Sequence, residues 1–101
     1  MNLIYDYYGL LVYFRDEAEL PMTVYGSRGG RESAICIHFS NGLMQAPEIQ
    51  KSANELDEED AAVFKLLVDK NSSEIIKLWL DIFLYGKKPE PEIIRQNIRE
   101  Q

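Results

Sequence analysis

The chain is poor in the residues that most often carry chemistry. Its 101 residues include one cysteine, one histidine and one tryptophan. A lone cysteine forms no internal disulfide, so the fold must hold without one. Zinc needs three or four protein ligands, and Cys36 and His38 exhaust the Cys and His on offer. No GxGxxG, Walker loop, GxSxG or HExxH motif is present. No run approaches the ~20 apolar residues of a membrane span. The opening MNLIYDYYG has neither a basic segment nor a long apolar core, so it does not read as a signal peptide. These absences together predict a cytoplasmic protein that does not engage membranes. Positive charge is also scarce: 11 Lys and Arg stand against 17 Asp and Glu, a formal net charge of −6. A phosphate-backbone binder normally carries a basic face, so composition argues against nucleic acid and against anionic lipid surfaces.

What is present is a chain of 46% hydrophobic residues with ordinary charge content, enough for one core but not two. It reads as a single α+β domain: strand-rich over 1–50, helical over 56–86, with a tail at 87–101. In the first half, Leu10 to Phe14 is apolar on both faces, as a central strand covered on both sides would be. Leu3 to Tyr8 reads as a short strand before it, with Gly9 as turn or bulge. Pro21 opens a further strand, and Gly29-Gly30 supplies a hairpin tip. Ser33 to Ser40 alternates Ile35, Ile37 and Phe39 with smaller or polar residues. Asn41-Gly42 then favours a two-residue hairpin that sets Ser40 opposite Leu43, Phe39 opposite Met44, His38 opposite Gln45 and Ile37 opposite Ala46. Pro47 predicts that the strand after it is short and at an edge. The expected sheet is antiparallel with four or five strands, and two helices pack on one of its faces.

The second half gives helix signals. Asp57 is placed to cap a helix running to about Lys70, with Val63, Phe64, Leu67 and Val68 on its apolar side. Asn71 and Glu74 have capping-box spacing for a second helix, which Gly86 should end, with Lys87 and Lys88 at its negative end and Pro89 beyond. From Ile75 to Tyr85 only Lys77 and Asp81 are polar. Such a helix is expected to be enclosed nearly all round, by the sheet, the first helix, and the tail or a second molecule. In the tail, Ile94 and Ile98 are spaced for a short helical face, able to dock on the domain, cover a partner or fray.

Each candidate site has a plain structural counterpart. Cys36 and His38 would be neighbours on one strand face, but a catalytic cysteine also needs a third, orienting group; a half-buried Cys and a rim His are the simpler account. Asp16, Glu17 and Glu19 could hold a divalent metal for a hydrolase or nuclease, or simply solvate a loop. Arg28 and Arg31 flank Gly29-Gly30 and could hold a small anion; a polar hairpin tip is the alternative. Tyr5, Tyr7, Tyr8, Tyr13 and Tyr25 crowd the first strands, which suits either a protein interface or half-buried sheet positions.

Three stretches, GLLVYFRD (9–16), ESAICIHFSNG (32–42) and SEIIKLWLDIFLYGKK (73–88), resemble a small bacterial domain of unknown function, the family numbered four-one-six-zero. Its members share an aromatic strand ending near Asp, a Pro-His-x-His stretch, a strand ending in Asp-Gly or Asn-Gly, and a late helix with one Trp. This chain departs from them where Pro21-Met22-Thr23-Val24 replaces Pro-His-x-His. The resemblance implies no activity. It does imply a protein partner, as in a two-component bacterial system such as a toxin–antitoxin pair. The resulting expectation is a non-catalytic protein–protein interaction module without cofactor or metal, with a protein partner or a homodimer formed through Trp79, Phe83, Tyr85, Ile94 and Ile98. The alternatives are the metal-dependent hydrolase at Asp16, Glu17 and Glu19, and the anion binder at Arg28 and Arg31.

Overall fold

A computed structural model describes residues 1–40, 43–44, 48–50 and 54–95. The strands β1 (Asn2–Tyr7), β2 (Leu10–Phe14), β3 (Met22–Arg28) and β4 (Arg31–Ile37) form an antiparallel meander. Two of its turns share one device. Tyr8 and Gly9 (φ 49° and 87°) sit between the paired residues Tyr7 and Leu10, and Gly29 and Gly30 (58° and 79°) between Arg28 and Arg31. Two successive positive φ angles give the two-residue hairpin whose twist matches that of the strands it joins.

The chain then leaves the sheet at His38. β5 (Phe39–Ser40) and β6 (Leu43–Met44) pair separately, Phe39 with Met44 and Ser40 with Leu43, in the register expected of the Asn-Gly tip. Asn41, Gly42 and the expected partners Gln45 and Ala46 lie outside the described residues, as does Pro47. β7 (Glu48–Gln50) returns antiparallel to β4 as a short edge strand.

Two helices follow, α1 (Glu58–Lys70) and α2 (Ser72–Phe83), and then β8 (Glu92–Ile94). The sheet order is β7-β4-β3-β2-β1-β8. Five antiparallel strands fit the expected sheet. The sixth does not: β8 lies parallel to β1, with Tyr5 opposite Glu92 and Tyr7 opposite Ile94. The helical tail face expected from Ile94 and Ile98 is therefore corrected to an edge strand. A two-sided pattern of Ile94 in and Ile93 out explains the sequence better than a turn of helix, because alternate strand residues face opposite ways. Ile94 packs on the core while Ile93 is 60% exposed. Ile98 lies outside the described residues.

The core lies between the helices and one sheet face. Leu10, Val12, Phe14, Met22, Val24, Ile35 and Ile37 come from the sheet, and Val63, Phe64, Leu67, Val68 and Ile75 from the helices. At ~1.5–3 kcal/mol per fully buried large apolar side chain, this face is the main source of stability. The register of β1 on β2 shifts between Leu3 and Tyr5, and this extra residue lets consecutive Ile4 and Tyr5 both be buried. The start of α1 is fixed twice. Asp57 caps it by accepting from the Asp60 amide at 2.8 Å. The segment before it is clamped to β4: the Leu56 amide donates to Ser33 Oγ at 3.0 Å and the Glu32 amide to the Asn54 carbonyl at 3.0 Å.

α2 departs from the expected enclosure. Ile75 is its one fully buried residue. Ile76, Leu78, Trp79, Ile82 and Phe83 are partly buried against the core, and Leu80, Leu84 and Tyr85 are 38%, 65% and 68% exposed. The reason is geometric: the sheet and α1 together cover only one side of a rod, and β8 goes to the sheet edge instead of over α2. The capping box also fails. Asn71 Nδ2 donates back to the Leu67 carbonyl, and Glu74 accepts from Tyr5 Oη at 2.5 Å. The helix ends at Phe83, short of Gly86, which takes φ +67° in the closing turn where the Lys87 amide meets the Asp81 carbonyl at 2.9 Å. Among the described residues, no helix is long and apolar enough to cross a membrane.

Candidate functional site

The exposed side of α2 carries large apolar residues in solvent. Residues four apart share a helix face, so Leu80 and Leu84 form a short apolar ridge, with Tyr85 just past the helix end. Of the expected interface residues that are described, Tyr85 is the exposed one. Trp79 and Phe83 pack on each other (ring centroids 5.2 Å) and Phe83 packs on Phe14 (6.0 Å), so both partly serve the core. The sequence reading missed Leu80 and Leu84. Their signal was the offset from Ile75, Trp79 and Ile82: at about 100° per residue, Leu80 lies roughly 130° and Leu84 roughly 170° around the helix from the buried stripe.

On the sheet face opposite the helices lies a polar aromatic cluster. The Tyr13 and Tyr25 rings stack at 5.8 Å, and the Arg15 guanidinium sits 4.1 Å above the Tyr25 ring. Arg15 Nη2 meets Glu32 Oε1 at 2.9 Å, and the Tyr13 hydroxyl donates to the other oxygen of that carboxylate. The Tyr25 hydroxyl donates to both oxygens of Glu19, at 2.9 and 2.8 Å. Burial, then the hydrogen bond to the neighbouring carboxylate, pushes both phenols up to about 12. Tyr5 is raised further, by burial and by Glu74. Phenols held protonated against carboxylates are structural donors and poor nucleophiles at neutral pH.

Arg28 and Arg31 are brought to one hairpin end, but they differ in use. Arg28 Nη2 donates to the Tyr7 and Tyr8 carbonyls at 3.2 and 2.9 Å, and its Nη1 meets Asp60 Oδ1 at 3.1 Å. It lines a cleft of about 420 Å³ with Tyr7, Tyr8, Asp57, Glu59, Asp60 and Val63. Three carboxylates beside one guanidinium make that cleft unfavourable for an anion. Here Arg28 ties the β1–β2 turn to the start of α1. Arg31 is exposed.

Asp16, Glu17 and Glu19 line one open pocket with Arg15 and Ala18, but among the described residues no three acidic, Cys or His side chains are placed to hold a metal ion together. Asp16 pairs with the terminal amino group of Met1 at 2.7 Å, Glu19 takes the Tyr25 hydroxyl, and Glu17 is exposed. Cys36 is buried, with its sulfur 3.5 Å from Thr23 Oγ, and His38 is half-buried where the chain leaves the sheet. No protein-family model, curated protein or solved structure matches this chain.

Proposed function

We propose that the chain is a non-catalytic protein–protein interaction module that self-associates through the exposed side of α2 and the residues just after it. One observation carries this reading: a helix with two polar residues between Ile75 and Tyr85 is covered on one side only, leaving Leu80, Leu84 and Tyr85 in solvent. Apolar residues grouped on one exposed face favour burial against another protein. A cytoplasmic setting and kinship with the small bacterial domain family named above belong to the same proposal. In that setting, the other member of a two-component pair is the alternative occupant of the face. The hydrolase and anion readings gain no support from the geometry, since Asp16 and Glu19 are engaged by the Met1 amino group and Tyr25, and Arg28 is already bonded within the chain.

Sedimentation velocity over a wide concentration range tests the proposal. The wild-type chain should show a concentration-dependent dimer. Leu80→Glu should raise its dissociation constant at least about tenfold, because a charge placed in an apolar contact must be desolvated. A strict monomer at every concentration would overturn self-association.

A further inference from the structure

We propose that two copies pair α2 against α2 in an antiparallel manner, about a two-fold axis level with Trp79, so that Lys77 of each copy meets Asp81 of the other. The inference rests on the self-association reading and goes beyond it by fixing the orientation. The charge pattern carries the argument. Lys77 and Asp81 are the only charged residues from Ile75 to Tyr85. They are opposite in sign and one helical turn apart, alongside the exposed Leu80 and Leu84.

Parallel pairing would set lysine on lysine and aspartate on aspartate. Antiparallel pairing centred between them sets each on its opposite, twice, as a two-fold interface requires. The same rotation places Ser73, small and exposed, opposite Tyr85, large and 68% exposed, so that a recess faces a projection at both ends. The helix dipoles then also run in opposition. Lys87 Nζ, 3.9 Å from Asp81 Oδ1 within one chain, adds a second cation at each end of the contact. A chain of net charge −6 repels its own copies at long range. This face, where each copy sets Lys77 and Lys87 beside Asp81, carries no excess of negative charge, which lets two of them approach.

The test is a charge swap read by sedimentation equilibrium, with circular dichroism to confirm that each variant is folded. Lys77→Glu sets a carboxylate against Asp81 of the second copy and should raise the dimer dissociation constant at least about tenfold. Adding Asp81→Lys restores both cross-pairs and should bring the constant back to within about threefold of wild type. A wild-type dimer that Lys77→Glu leaves unchanged, or that the double swap fails to rescue, overturns the antiparallel arrangement while self-association stands. A wild-type chain that never dimerises overturns both.

Discussion

Gly26 shows how a single residue sets the layer spacing of this fold. It lies on β3 opposite Val12, directly beneath the Phe64 ring. A Cβ there would meet three ring atoms at 2.8–3.0 Å. Phe64 is fully buried within the core. Gly26→Ala should therefore destabilise the fold by about 1–3 kcal/mol, the usual range for overpacking, which urea unfolding would measure. The phenols give a second residue-level prediction. With Tyr13 and Tyr25 held near 12 against an ordinary 10, the folded chain retains protons that the unfolded chain loses. The stabilisation is thus complete below about pH 10 and is lost as pH rises from 10 to 12. Urea midpoints measured across that window should fall, and Tyr25→Phe should flatten the decline. A midpoint independent of pH there would contradict the assignment of these protons.

Among the strands of the six-stranded sheet, β8 is the most weakly held. It has three residues, its core-facing Ile94 is only half-buried, and it follows a largely exposed segment at 84–91. Apart from its pairing with β1, the main tie is the Tyr8 hydroxyl donating to the Arg95 carbonyl. Native-state hydrogen exchange should find the β8 amides opening at least about tenfold more readily than those of β2 and β3, which sit mid-sheet. Equal protection would mean that the edge is locked by more than this. The elements also show how far the sequence could be read. The meander, the two hairpin tips, the Asp57 cap and the buried side of α1 were legible because each depends on residues within a few positions of one another. β8 was not, because its partner is at the opposite end of the chain and an Ile-Ile pair fits helix and strand alike. The cover on α2 is less than its sequence suggests for a related reason: an apolar rod says that it needs enclosing, not how many neighbours the topology supplies. The candidate face was half legible. Tyr85 was named, while Leu80 and Leu84 were hidden in a run where every position looked like core. The uses found for Glu19, Glu32 and Arg28 all depend on which strands lie side by side, which no local pattern encodes.

At the scale of the whole molecule, the arrangement is one sheet with helices on a single side and a polar aromatic cluster on the other. The parallel pairing of the first strand with the last has a further consequence. Contacts such as Tyr8 with Arg95 join positions 87 residues apart, and closing so long a loop is entropically expensive and slow. The meander can assemble from nearby pieces, yet the outer rim of β1 stays without its backbone partner until residues 92–94 reach it. During that interval the sheet exposes an unpaired rim to any extended peptide nearby, so the speed with which β8 docks bears on how much of the chain folds alone.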